Sequence, residues 1–227
     1  MATTATPADQ EPTEAPAPAV RSGRRTGLDR DDVVAAALEL VEREGPAALS
    51  MRRLATELDV GTPTIYWYVG SRDELIAEVI RFQANRLAEQ AVEGTTPRER
   101  VFSAARHIWT SSIEHRAVTS LAHQTGTSSL LAHRLEAALV IELEAAGLTG
   151  PRAAEATRAI LIAVGGALVL ALRDLSAYPT EYRPDALWAD SDAPIAPETR
   201  AALCSPPDLD ELSATTLRAV IDHYVPA

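Results

Sequence analysis

Apolar positions recur at helical spacing along most of the chain. Val33, Val34, Ala37, Leu38 and Val41 share one face of a helix that Asp29 or a neighbour opens and Gly45 closes. Ser50 caps a second helix, with Leu49 before the cap and Leu54 after it at the spacing of a hydrophobic staple. Leu54 and Leu58 face inward, and Asp59-Val60-Gly61 predicts a tight turn. Thr62-Pro63 predicts the start of a third helix, because the N–H that proline lacks there would have no helical partner anyway. Ile65 and Val69 face inward, four residues apart, and Gly70 ends the segment.

Longer helices follow. Ser71 with Glu74 forms a capping box for a helix running to about Glu93, and Thr96-Pro97 with Glu99 opens another to about Ile113. Further helices are expected over 115–122, from Ser128 to Ala146, from Pro151 to Leu175 and from Asp208 to Tyr224. Residues 177–207, rich in Pro, Asp and Ala, read as a loop with a short helix near 198–203. No period-two pattern survives, so the predicted fold class is all-α: an N-terminal three-helix helix-turn-helix domain and a larger helical domain. Residues 1–20 hold almost no large apolar side chain and are expected to be a disordered tail. The domain bounds expected are 21–72 and 73–227.

Composition removes several function classes. The single cysteine, Cys204, excludes an internal disulfide and a cysteine-built zinc site. The histidines stand at 107, 115, 123, 133 and 223, so none pairs with another at i,i+4. There is no Gly-rich phosphate loop and no G-x-S-x-G elbow. An enzyme, a metal site and a cofactor are therefore not expected. The longest apolar run, Ala159–Leu172, has 14 residues and reads as a buried helix too short to cross a bilayer. With no signal-peptide pattern at the start, a soluble cytoplasmic protein without a membrane partner is expected.

The net charge of −11 argues at first against nucleic acid, but its distribution does not. Residues 21–72 carry eight Arg and eight acids, whereas 73–227 carry 13 Arg and 21 acids. The neutral amino-terminal module is the part suited to an anionic polymer. In a helix-turn-helix the third helix enters the major groove. Here its outward face would be Thr62, Thr64, Tyr66 and Trp67, offering hydroxyls and flat apolar surface. Tyr66-Trp67-Tyr68 are consecutive, and a helix cannot bury three successive large side chains on one face. Arg52 and Arg53 open the second helix, where an Arg can meet a guanine edge or phosphate, and Arg72 follows the third, where it suits phosphate. Arg21, Arg24 and Arg25 form a basic arm ahead of the first helix.

The run LDRDDVVAAALELVEREGPAALSMRRLATELDVGTPTIYWYVGSRDELI closely resembles the DNA-binding domain of the tetracycline-repressor (TetR) family. The resemblance implies base or phosphate contacts by Arg52, Thr62, Pro63, Thr64, Tyr66 and Trp67, with Ser50, Met51 and Arg72 at or beside backbone contacts. Met51, Tyr68 and Gly70 depart from the family pattern, which implies a different operator sequence. Farther on, Ala163-Val164-Gly165-Gly166 through Arg173-Asp174, a long acidic loop and a final apolar helix are similar to the C-terminal domain of the tetracycline-repressor branch. That similarity implies a homodimer through 151–175 and 208–224 and a small-molecule effector bound among the middle helices. The function implied is a ligand-responsive regulator, a repressor, on a palindromic double-stranded operator. A DNA-binding dimer controlled by a protein partner, or by no ligand, is the alternative.

Effector candidates are polar or aromatic residues on apolar helices: His107, Trp109, His123 and Gln124. Gly165 and Gly166 sit mid-helix at a cost of about 1 kcal/mol each, which a ligand wall or close helix packing would offset. His123 falls near a histidine that helps hold a magnesium–drug complex in tetracycline-binding members. Gln124 to Thr127 do not follow that pattern, so a largely apolar effector without metal is expected. Tyr178 and Trp188 either cover the cavity or anchor their loop.

Overall fold

Asp29 opens α1 (Arg30–Glu44) with a full capping box, its carboxylate accepting from the Asp32 N–H at 2.8 Å. The protein, seen in a computed structural model, is described over residues 27–173 and 179–225. The tail 1–20, the arm residues Arg21, Arg24 and Arg25, and Tyr178 lie outside the described residues. A 3-10 turn at Pro46–Ala48 leads to α2 (Met51–Glu57), α3 (Thr62–Val69) and α4 (Arg72–Leu87). Val33, Leu40, Leu54, Ile65 and Leu75 are fully buried where these helices meet. Each such side chain contributes about 1.5–3 kcal/mol by leaving water.

The remaining helices are α5 (Pro97–Glu114), α6 (Arg116–Gln124), α7 (Ser128–Ala145), α8 (Gly150–Ala171), α9 (Pro184–Ala189), α10 (Pro197–Leu203) and α11 (Leu209–Tyr224). No strand occurs among the described residues. α4 packs on α1 and on α7, and α6 packs on α1 and on α7, so both helices bridge the two parts. α8 and α11 pair along their length, while α9 and α10 pack chiefly on each other.

Three expectations change. α4 ends at Leu87 rather than near Glu93; beyond it the chain turns, and the Glu93 N–H is taken by the Ser103 hydroxyl at 3.0 Å. α9 was not foreseen in the Pro-rich stretch, although Pro184 stands at its first position. α8 is not a buried helix in the single chain. Ala153, Ala156, Ile160 and Val164 face in, but Ile162 is 75% and Val169 71% exposed. Its 22 residues, with a mean hydropathy of 1.7 over its most apolar window, are also long and apolar enough to cross a membrane by length and composition. The helix outruns the apolar run because Gly150-Pro151 opens it a full two turns earlier.

Glu99 closes the α5 capping box. The Thr95 hydroxyl and the Thr95 and Thr96 N–H groups hold its carboxyl down at about 2. Its contribution to stability is therefore present above the ordinary carboxylate range and is lost as pH falls through about 2. Melting curves of the protein and of Glu99→Gln should be well separated near neutrality and converge as the pH nears that value. A separation that does not change with pH would show that the carboxylate is idle.

Candidate DNA interface and effector cavity

The turn between α2 and α3 is a Schellman closure. The Val60 N–H donates to the Ala55 carbonyl at 3.0 Å and the Asp59 N–H to the Thr56 carbonyl at 3.3 Å. Asp59 takes the left-handed conformation, φ 52°, which its short polar side chain tolerates better than most. At the far end of α3, Gly70 has φ 71°, and a Cβ there would lie 2.2 Å from the Glu74 carboxylate that caps α4. Both ends of α3 are thus fixed by local geometry.

The three aromatics divide as a helix requires. Tyr66 is 50% and Trp67 78% exposed, while Tyr68 turns inward and donates its hydroxyl to the Leu28 carbonyl at 2.7 Å. That bond ties α3 to the root of the arm. Pro63 is exposed, and Thr62 and Thr64 are half-buried beside it. Arg52 is exposed and has no hydrogen-bonded carboxylate among the described residues. Arg53 differs: it reaches Glu44 at 2.8 Å and Glu57 at 3.9 Å. Arg72 is exposed and held by the Leu49 carbonyl at 3.4 Å. Ser50 spends its hydroxyl on the Arg53 N–H, as the α2 cap.

Met51 is corrected as a contact residue. Its side chain is buried in the core, so it cannot meet phosphate; the thioether fills space beneath α2. The change from a hydroxyl residue at that place is therefore a packing change.

A cavity of about 600 Å³ opens among α5, α6, α7 and α8. Its α5 wall is Ile108, Ser111, Ser112 and His115, an i, i+3, i+4, i+7 stripe. That stripe excludes His107 and Trp109, which lie on other faces of the same helix. Trp109 is buried, but against α11: its indole N–H donates to Asp210 Oδ1 at 2.7 Å, and Arg106 meets the same carboxylate at 2.9 Å. The indole and then the guanidinium hold the Asp210 carboxyl below its ordinary range. Trp109 is thus a packing anchor for α11, not an effector residue.

His123 lines the cavity, whereas Gln124, one step round α6, points away and donates to the Ser120 hydroxyl at 3.0 Å. Gly165 lines it, whereas Gly166 lies on the exposed side of α8. No other group comes within 4 Å of where a Cβ would stand at either glycine, so close packing within the chain does not explain them. Trp188 does not line the cavity. Sequence reasoning missed Ser111, His115 and Glu136 as lining residues. The signal was available: polar members recurring on an otherwise apolar helical stripe.

Residues 33–79 match the model of "Bacterial regulatory proteins, tetR family". An "HTH-type transcriptional regulator" of Saccharopolyspora erythraea is 37% identical over 59 residues, 26% of this chain and 25% of that protein. The match thus spans about a quarter of the length of that relative. The fold is similar to that of SCO7222, a TetR from Streptomyces coelicolor, with a TM-score of 0.68 at 21% identity over 87% of this chain and 98% of that one. It is also similar to ActR of Streptomyces coelicolor in complex with actinorhodin, with a TM-score of 0.64 at 22% identity over 88% and 96%. Over residues 33–79, its first four helices, the chain is thus similar to the bacterial regulatory proteins of the tetR family.

Proposed function

We propose that this chain is a homodimeric repressor in the cytoplasm, which binds a palindromic operator and is released by a small, largely apolar effector. The outward face of α3 carries the reading: exposed aromatics and hydroxyls on a helix fixed at both ends, beside an Arg52 with no carboxylate partner among the described residues. Such a face suits the major groove, with Arg52 for a guanine edge or phosphate and Arg72 for phosphate. Arg24 and Arg25 of the arm would follow the backbone or a minor groove.

Dimerisation is supported by α8 and α11. Ile162, Gly166 and Val169 form one exposed stripe on α8, and Leu212 is exposed on α11. A small residue between two large apolar ones suits close approach of a second helix. Pairing of this face with its twin would set two copies of α3 about 34–36 Å apart, one turn of DNA. The same pairing accounts for the apolar length of α8 without a membrane.

The cavity favours an effector over the ligand-free alternative. Its size and mainly apolar lining, with a few polar groups, are those of a small-molecule site. ActR, of the same fold, is described in complex with actinorhodin. Release requires that the effector bind the non-DNA conformation better, by the factor by which it weakens the operator.

The test is to select a DNA site with the purified chain from a random library, footprint it, and add a panel of apolar small molecules. A protected palindrome released by one compound class is the expected result. No selected site, or a site that lacks two-fold symmetry, would overturn the reading.

A further inference from the structure

The cavity is lined by one buried side chain whose polar atom has no hydrogen-bond partner among the described residues. Ser111 is 1% exposed and lines the cavity, yet its hydroxyl makes no hydrogen bond among the described residues. The hydroxyls near it behave differently. Ser112 donates to the Ile108 carbonyl at 2.7 Å, Thr110 to Arg106 at 3.0 Å and Thr119 to Ser112 at 3.1 Å. Buried hydroxyls are ordinarily paired, so an unpaired one on a residue that lines a cavity points to a partner that the ligand brings.

His115 stands one helical turn beyond Ser111 on the same stripe. It is the break between α5 and α6, with φ −107° and ψ 43°. It lines the cavity, and it also crosses to the other domain: its Nδ1 lies 3.0 Å from Oε1 of Glu42 on α1. α1 packs in turn on α2, α3 and α4. His115 is therefore in contact with the cavity and with the helix that supports the recognition helix.

We propose that Ser111 and His115 anchor one hydroxyl group of an otherwise apolar effector, and that His115 transmits its presence to the DNA-binding domain through Glu42. The inference rests on the regulator reading above and names the ligand chemistry and the link. With Nδ1–H given to the Glu42 carboxylate, the second nitrogen of a neutral imidazole is an acceptor. Ser111 supplies a donor. A hydroxyl group, which both donates and accepts, satisfies the pair; a carbonyl or ether satisfies only the serine. Glu136 and Arg173 also line the cavity, one of each sign, so the lining favours neither a cationic nor an anionic ligand. A hydroxyl that draws the imidazole into the cavity loosens the contact with Glu42. By linkage, the weakening of DNA binding equals the effector's preference for that loosened state.

The test uses the full chain, its selected DNA site, and two probes that differ by one hydroxyl: 2-naphthol and naphthalene. Calorimetry on the protein alone should show 2-naphthol binding at least about fivefold more tightly, the worth of one net hydrogen bond. Ser111→Ala should shrink the preference for 2-naphthol, leaving only the bond to His115; if that variant does not fold, His115→Phe should shrink it by removing the acceptor instead. In Glu42→Gln the preference should remain, but most of the fall in DNA affinity that 2-naphthol causes in the unaltered protein should vanish. Equal binding of the two probes, including no binding of either, overturns the anchor, as does a preference that Ser111→Ala leaves undiminished. A 2-naphthol that binds without lowering DNA affinity, or that lowers it equally in Glu42→Gln, overturns the link. A chain that binds no DNA overturns the regulator reading and the link together, while the anchor is still judged by calorimetry.

Discussion

Changing Ile162 and Val169 together to Asp should turn the protein into a monomer and weaken operator binding by about 10²–10⁴-fold, the usual worth of joining two binding modules. Both side chains are largely exposed in the single chain, so the substitution leaves each protomer's core intact. Between two copies of α8 the same carboxylates would be stripped of water without a partner, at several kcal/mol each. Sedimentation reads the mass, and binding to a full palindrome against a single half-site reads the loss. The two targets should become nearly equivalent for the variant. A variant that stays dimeric would place the self-interface elsewhere than α8 and α11.

Arg52→Ala should weaken binding by about 1–3 kcal/mol per half-site and relax one base position, the worth of a bidentate guanine contact. Arg53→Ala, one residue on, should do much less to specificity. The contrast comes from geometry, since Arg53 is already engaged by Glu44 and Glu57 while Arg52 is not. Trp67→Ala belongs with Arg52. At 78% exposure the ring contributes little to folding, so a loss of DNA affinity with an unchanged melting temperature is the expected pairing. Selection of DNA sites with each variant reads the relaxed position. If Arg52→Ala leaves both affinity and base preference unchanged, α2 contributes no readout.

The amino-terminal helices were legible because their boundaries are written locally. Asp29, Ser50, Ser71 and Thr96 each cap the helix they were expected to cap, and Pro63 and Gly70 bracket α3. The division of the three aromatics was legible in outcome but not in order. Nothing near Tyr68 in sequence announces the Leu28 carbonyl, 40 residues away, that draws it inward. The cavity was less legible for the same reason. Trp109 and His107 have the right chemistry on the right helix, but which side of α5 faces α11 is decided about a hundred residues later by Asp210. Met51 looked like a surface departure and proved to be core.

The ion cluster at the α1–α2 junction bears on how this surface meets a polyanion. Arg43 contacts Glu44 at 3.1 Å and Glu57 at 2.9 Å, while Arg53 meets the same two carboxylates. Both guanidiniums therefore arrive already neutralised and displace few of the counter-ions condensed on a duplex. On the proposed reading Arg52, Arg72 and the arm would do so, each phosphate contact steepening the dependence of binding on electrolyte by about 0.9. A surface charged this sparingly depends more on hydroxyl and aromatic contacts, which added electrolyte barely screens.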